Sequence, residues 1–249
     1  LRRVAVIIPA RFGAQRFPGK PLAELGGKPL VAHVVERASR ARGVDLVAVA
    51  TDDDRIAQAA EAAGARAIRT GPAATGTDRV AEAARRLDPA ADVVVNLQGD
   101  EPLIEPAAIE TLVGAMSDAR AKMATLARPL EPGELERTQV VKVVTDLHGD
   151  ALYFTRAPVP HRRRGGESAL ARAHVGIYAF TAAFLQEFSA LAPGRLEEEE
   201  SLEQLRALEH GHKIRVADTE YRGFGIDTPE DLERARALLA RREGGTGSW

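Results

Sequence analysis

Residues 4–22, VAVIIPARFGAQRFPGKPL, decide how the rest of the chain is read. Val4 to Ile8 form a short, continuous, β-branched run, the pattern of a strand buried on both faces, and Pro9 is expected to end it. The loop that follows sets Arg11, Arg16 and Lys20 among Gly13, Pro18, Gly19 and Pro21. A loop leaving the C-terminal end of a buried parallel strand lies where doubly wound sheets bind ligands. Its glycines permit close backbone approach, and three cations can serve several phosphate oxygens at once, which suits a triphosphate better than a monophosphate. The loop has neither the Gly-Lys-Ser/Thr of a Walker motif nor GxGxxG. On local composition alone, a merely solvated basic loop is the alternative.

Outward from this stretch the chain alternates. In KPLVAHVVERASRAR, Leu30, Val31, Val34, Val35 and Ala38 fall at helical spacing. VDLVAVATDDD then reads as a strand with an acidic end, RIAQAAEAAGA as a helix stopped by Gly64, and ARAIRT as a short strand. TGTDRVAEAARRL predicts a helix capped by Thr, ADVVVNLQGDEP a buried strand running into a polar turn, PAAIETLVGAM a helix with a Pro start, and KMATLARPL another strand. Strand-helix alternation of this kind predicts an α/β fold with a doubly wound, mostly parallel central sheet. From about Gln139 the texture changes. QVVKVVTDLHGDALYFTRAPVP predicts two strands joined by a tight turn around His148, Gly149 and Asp150, a hairpin in place of a helical crossover. HRRRGGESALAR reads as a polar surface loop, AHVGIYAFT as a strand, SLEQLRALEHG as a helix and HKIRVADTE as a strand. YRGFGIDTPEDLERARALLARR is a loop followed by a helix with Pro229 in its first turn and Leu232, Ala235, Leu238 and Leu239 turned inward. A single domain over 1–249 is expected, with an inserted, small antiparallel subdomain over about 139–215.

Composition excludes several function classes. Of the 249 residues 45% are apolar, enough for a sizeable core, and 34 basic residues nearly cancel 36 acidic ones. No net field favours nucleic acid or an anionic membrane, so any polyanion must be met by local clustering. With no cysteine, disulfides, thiolate metal sites and a Cys nucleophile are ruled out. No apolar run reaches the roughly 18 to 20 residues that span a bilayer, and LRRVAVIIPA is too short for a signal-peptide core. A soluble, cytoplasmic protein without nucleic-acid or membrane partners is expected.

Two acidic positions point to chemistry. Asp100, at the end of a central strand and preceded by Gly99, is placed to hold Mg²⁺ while phosphates supply other ligands. Its neighbour Glu101 fits better as an acid capping the following turn. Asp227 precedes a helix, where it or Thr228 can serve as an N-cap. His33 reads as a packed or half-exposed helix residue, the acidic run at 197–200 as a solvated helix entry, and the RRR run at 162–164 as a solvated loop. His174 is balanced between structure and site, and Tyr178 reads as core.

Taken in order, IIPARFGAQRFPGKPL, GKPLVAHVVERA, VATDD, TGTDRVAE, VVNLQGDEP, VKVV, ALYFTRA, HVGIYAF, LEQLRAL and GIDTPEDL resemble the 3-deoxy-manno-octulosonate cytidylyltransferases, or CMP-Kdo synthetases. The resemblance covers nearly the whole chain. It implies a nucleotide-diphospho-sugar transferase type of fold and an enzyme that joins CTP to Kdo, releasing pyrophosphate and activating Kdo for lipopolysaccharide biosynthesis. It also implies Mg²⁺ and a cytoplasmic homodimer. Carried over residue by residue, it assigns Arg11, Arg16 and Lys20 to the triphosphate. Pro9, Ala10, Gly76, Arg79 and Gln98 go to the rest of the nucleotide, and Asp100 and Asp227 to the metal, which overrides the N-cap reading of Asp227. Lys20, Arg16, Asp100 and Asp227 are thereby the catalytic set. Arg156, His174, Tyr178, Glu203 and Gln204 match the region that receives the sugar acid. The family loop usually reads Arg-aromatic-Ala-Ser, whereas RFGA here leaves Ala14 without a hydroxyl for phosphate. PHRRRGG is also shorter and more basic than the family pattern. The alternatives are a nucleotidyltransferase of the same fold acting on 8-amino-Kdo or an N-acylneuraminate, and a non-catalytic nucleotide-binding module.

Overall fold

The first strand, β1 (Val4–Ala10), lies at the centre of the sheet, and its alternating side chains feed two different layers. Val4, Val6 and Ile8 point into one core with Val31, Val34 and Val35 of α1 (Leu30–Ala38), while Ala5 and Ile7 point into the other. A strand with helices on both faces must be apolar at every position, which is why VAVII shows no polar alternation. The computed structural model describes residues 2–13, 17–161, 163 and 170–243.

After β1 come a 3-10 turn (Lys20–Leu22), the short antiparallel pair β2 (Glu24–Leu25) and β3 (Lys28–Pro29), and α1. The alternation then runs β4 (Leu46–Thr51), α2 (Asp54–Ala62), β5 (Arg66–Arg69), α3 (Gly76–Arg85), β6 (Val93–Asn96), α4 (Pro106–Ala115) and β7 (Met123–Pro129). The remaining elements are the hairpin β8 (Lys142–Thr145) and β9 (Ala151–Thr155), the long strand β10 (Arg172–Thr181), α5 (Ala182–Ala190), α6 (Arg195–Glu200), α7 (Leu205–Glu209), β11 (Arg215–Asp218) and α8 (Pro229–Glu243).

Among the described residues these strands make one nine-stranded mixed sheet, in the order β11-β7-β10-β6-β1-β4-β5, with β8 hydrogen-bonded to β10 and β9 to β8. β1 is parallel to β4 and β6, β4 to β5, and β11 to β7, whereas β10 runs antiparallel between β6 and β7. The chain therefore leaves β1 toward β4 and β5, then returns to place β6 on the other side of β1. Connections that diverge in this way leave a crevice at the C-terminal ends of β1 and β6, the switch point at which such sheets bind ligands.

Two readings of the sequence need correction, and one helix went unread. β1 does not stop before Pro9 but continues to Ala10. Leu97 donates its N–H to the Ile7 carbonyl, so Ile7 and, two residues on, Pro9 direct their backbone toward β6. β6 pairs no further than Asn96 opposite Ile7, and the donor that Pro9 lacks falls beyond its end. The unread helix, α5, follows β10 without a break, its start fixed by the Thr181 side chain accepting from the Phe184 N–H. The second correction is that SLEQLRALEHG is not one helix. Ser201, at φ 52°, ends α6, and α7 begins only at Leu205. The hairpin is continuous with the main sheet, because Val143 and Lys142 of β8 pair with Arg172 and Ala173 of β10.

Candidate functional site

The crevice at the switch point is a cavity of about 370 Å³. Its walls bring together Pro9, Ala10 and Arg11 from the end of β1, Lys20 from the following loop, Gly76 and Arg79 from α3, and Gln98, Asp100 and Asp227. Arg16 lies outside the described residues, as do Ala14, Gln15, Arg162 and Arg164. Two glycines make the approach possible. A β-carbon on Gly99 would sit 3.0 Å from the Pro9 carbonyl oxygen, so the turn after β6 can close over the end of β1 only without a side chain there. Gly19, at φ 73°, adopts the left-handed conformation and donates its N–H to the Phe12 carbonyl at 2.8 Å, folding the loop back so that the 3-10 turn opens with Lys20. On the opposite wall, a capping box between Thr75 and Asp78 fixes the first turn of α3. Arg79, buried in that helix, donates to Thr70 Oγ1 at 2.6 Å and to Asp52 Oδ2 at 2.8 Å, which ties its guanidinium to the ends of β4 and β5.

In the wall of the cavity the Lys20 ammonium lies between two carboxylates, donating to Asp100 Oδ2 at 2.9 Å and Asp227 Oδ1 at 3.4 Å. The N-cap question is answered by geometry. Thr228 Oγ1 accepts the Asp231 N–H at 3.2 Å, and Asp231 Oδ2 accepts the N–H groups of Asp227 and Thr228, each at 3.1 Å. Thr228 and Asp231 thus cap α8, and the Asp227 side chain turns toward Lys20. Among the described residues no group of three or more His, Cys, Asp and Glu side chains is arranged to hold a metal ion. Two carboxylates are nevertheless the set that Mg²⁺ uses when substrate phosphates and water complete its octahedron, so Asp100 and Asp227 fit that ion.

None of the sugar-side candidates lines this cavity. β10 carries a bulge between Val175 and Tyr178, and Thr125 of β7 fills it, donating to the Ile177 carbonyl at 2.9 Å. A hydroxyl has one proton, so His174 Nε2, 2.9 Å from the same oxygen, is the donor in that contact. Burial pushes the His174 pKa down to about 3, which keeps the ring neutral. The ring stands edge-on to Phe154 at 5.0 Å and lies 5.6 Å from Tyr178, whose phenol burial pushes upward. Glu203 Oε2 accepts from Thr77 Oγ1 at 2.5 Å, and its Oε1 and Gln204 Nε2 are buried without a hydrogen-bond partner among the described residues. Burial raises the Glu203 pKa. Arg156 is held apart from these groups, donating to the Glu200 and Thr138 carbonyls at 3.0 and 3.2 Å.

The sequence profile of the family described as Cytidylyltransferase matches residues 5–214. The 3-deoxy-manno-octulosonate cytidylyltransferase of Anaeromyxobacter sp. (strain Fw109-5) is 85% identical over 240 residues, covering 96% of this chain and 98% of its own. The chain belongs to the 3-deoxy-manno-octulosonate cytidylyltransferase family. A CMP:2-keto-3-deoxy-manno-octonic acid synthetase solved in complex with CTP superposes with a TM-score of 0.90 at 43% identity, covering 96% of this chain and 99% of that one. The 8-amino-3,8-dideoxy-manno-octulosonate cytidylyltransferase of Shewanella woodyi is 48% identical over 248 residues, covering 95% of this chain and 98% of its own.

Three features of this cytidylyltransferase fold escaped sequence reasoning. Glu101 does not cap the turn after Asp100. Its Oε2 instead accepts the Tyr221 hydroxyl at 2.5 Å and the Phe224 N–H at 3.0 Å, and burial raises its pKa. Asn96 donates to Thr77 Oγ1 at 3.1 Å and accepts from Gln98 at 3.3 Å, so a polar chain runs from the nucleotide cavity through Thr77 to Glu203. Lys142 is fully buried and donates to the carbonyls of Arg137, Val140 and Arg156. A lysine inside the apolar run QVVKVV was the available signal for the last of these.

Proposed function

We propose that this protein joins CTP and Kdo to give CMP-Kdo and pyrophosphate. The observation that carries the reading is the Lys20, Asp100 and Asp227 cluster in the wall of a switch-point cavity that Arg11, Arg79 and Gln98 also line. Family membership supports it. In the reaction a Kdo hydroxyl oxygen, its proton passing to solvent, bonds to the α-phosphorus of CTP as the bond from that phosphorus to the bridging oxygen breaks, and pyrophosphate leaves with the electron pair. No covalent enzyme intermediate is needed, so the protein's contribution is positioning and neutralisation of charge. Arg11 and Lys20 face the polyphosphate, and Arg79 and Gln98 face the rest of the nucleotide. Asp100 and Asp227 would hold Mg²⁺, which when bound lowers the pKa of the attacking hydroxyl and offsets phosphate charge. Lys20 meets charge growing on the phosphates as the bond breaks. Glu203 and Gln204, each with a buried polar atom that has no hydrogen-bond partner among the described residues, and the neutral His174 beside Tyr178 are the groups we assign to the sugar acid.

We further assign the segment of about 139–215 to completion of the sugar site and to a homodimer contact, and the enzyme to the cytoplasm, where CTP is made. Among the described residues no helix is long and apolar enough to cross a membrane. Kdo is favoured over its 8-amino analogue because the 85% identical relative bears the Kdo name. The deciding experiment measures pyrophosphate release with CTP and Mg²⁺ against Kdo, 8-amino-Kdo and N-acetylneuraminate. Fastest turnover with Kdo is expected. A folded protein that binds CTP yet releases no pyrophosphate with any acceptor overturns the reading in favour of a nucleotide-binding module.

A further inference from the structure

Asp100 and Asp227 reach the same ammonium from very different supports. Asp100 lies in the turn after β6, four residues beyond the end of that strand, which runs in the centre of the sheet. Asp227 lies near the end of a loop that leaves β11 at Asp218 and enters α8 at Pro229. Such a loop samples many backbone states unless something fixes it, and a ligand carboxylate misplaced by about 1 Å loses much of its effect. Glu101, next to Asp100, supplies the fixing contacts. Its Oε2 takes the Tyr221 hydroxyl at 2.5 Å and the Phe224 N–H at 3.0 Å, two groups of the Asp227 loop. The loop runs close alongside, since a β-carbon on Gly225 would lie 3.7 Å from Glu101 Oε1. One backbone bond completes the join, with the Ile226 N–H donating to the Asp100 carbonyl at 2.9 Å. Tyr221 is buried in the main core, which anchors the far side of the latch.

We infer that Glu101 and Tyr221 are positioning residues that lock the Asp227 loop onto the Asp100 turn and so set the separation of the two metal-binding carboxylates. This rests on the reading that Asp100 and Asp227 hold Mg²⁺. The chemistry is that of a shared acceptor: one carboxylate oxygen satisfies a phenol and a backbone amide from a loop that is 120 positions away in sequence.

The test compares Tyr221→Phe, which keeps the ring, with Glu101→Ala and Glu101→Gln, and uses Asp227→Asn as control. Two quantities are read in each: hydrogen exchange of the amides at 224 and 226 without substrates, and the Mg²⁺ concentration giving half-maximal turnover at saturating CTP and Kdo. Tyr221→Phe should speed exchange at these amides about tenfold, as loss of one charge-assisted bond implies, and Glu101→Ala, which loses both bonds, should speed it further. They should also raise the half-saturating Mg²⁺ severalfold with the KM for CTP little changed. Glu101→Gln keeps an acceptor oxygen and should restore both. Unchanged exchange, or faster exchange with an unmoved Mg²⁺ requirement while Asp227→Asn does move it, overturns the latch. If Asp227→Asn itself leaves the Mg²⁺ requirement unmoved, the metal reading falls and the inference falls with it.

Discussion

Asp227 and Thr228 are neighbours with separable roles. The Thr228 hydroxyl caps α8 through the Asp231 N–H, whereas the Asp227 carboxylate meets Lys20. Asp227→Asn should therefore leave thermal stability nearly unchanged and lower kcat by about a hundredfold or more, the loss of a few kcal/mol of transition-state stabilisation. Thr228→Ala should show the reverse balance, destabilising the fold by about 1 kcal/mol as a lost N-cap does, with a far smaller effect on kcat. Asp100→Asn should match Asp227→Asn, and the double variant should cost much less than the product of the two, because both carboxylates act as one metal-holding unit. Steady-state kinetics and thermal melts on the four proteins check all of this. Full activity of Asp227→Asn at limiting Mg²⁺ removes that residue from the metal assignment.

At the scale of elements, what was legible in the sequence is what depends on local periodicity. The buried run of β1, the spacing of Leu30, Val31, Val34, Val35 and Ala38 in α1 and the Thr cap of α3 all reflect neighbours within a few residues. The hairpin turn at Gly149, with φ 82°, belongs to the same class. What was not legible depends on the sheet. The place of β10 between β6 and β7, and the bulge that sets His174 beside Tyr178, follow from pairing with segments about fifty to ninety positions away. Glu101 looked like a turn cap because its partners lie 120 positions downstream. α5 was hidden because its Thr181 cap is also the last residue of β10. Lys142 shows the same limit, since its charge is matched by carbonyls on both sides of the hairpin. Replacing it with Met would keep the length and apolar stem but remove the ammonium from three carbonyls, of which that of Arg137 still accepts the Val140 N–H, so Lys142→Met should lower the unfolding free energy by about 2 kcal/mol. Urea denaturation reads this directly, and an unchanged midpoint would mean that water replaces the ammonium without loss.

For the whole molecule, the open question is what covers the outer edge of the hairpin. β9 pairs with β8, and its other side meets the β11 segment at its start, where Ala151 donates its N–H to the Ile214 carbonyl and Asp150 bridges Arg215; beyond Ala151, among the described residues, no further strand is hydrogen-bonded to that side. Leu147 at the hairpin turn is fully exposed, and Leu152 on β9 is largely so. An exposed edge strand bearing leucines invites association, and soluble proteins usually guard such an edge with charge or proline. A second copy of the chain is the cover we propose, and closed twofold pairing would bury both edges at once. The wild-type protein should then sediment as a dimer at micromolar concentration, and Leu147→Glu with Leu152→Glu should shift it toward monomer without unfolding it, because neither side chain packs in the core. The kinetics of that variant separate two roles for the hairpin. If the KM for Kdo rises while the KM for CTP holds, the dimer contact steadies the strands that present Phe154 and His174 to the sugar side. If the monomer turns over normally, the hairpin assembles the protein without completing its site. A wild-type monomer with full activity would remove the dimer altogether and leave the β9 edge to be explained by some other cover.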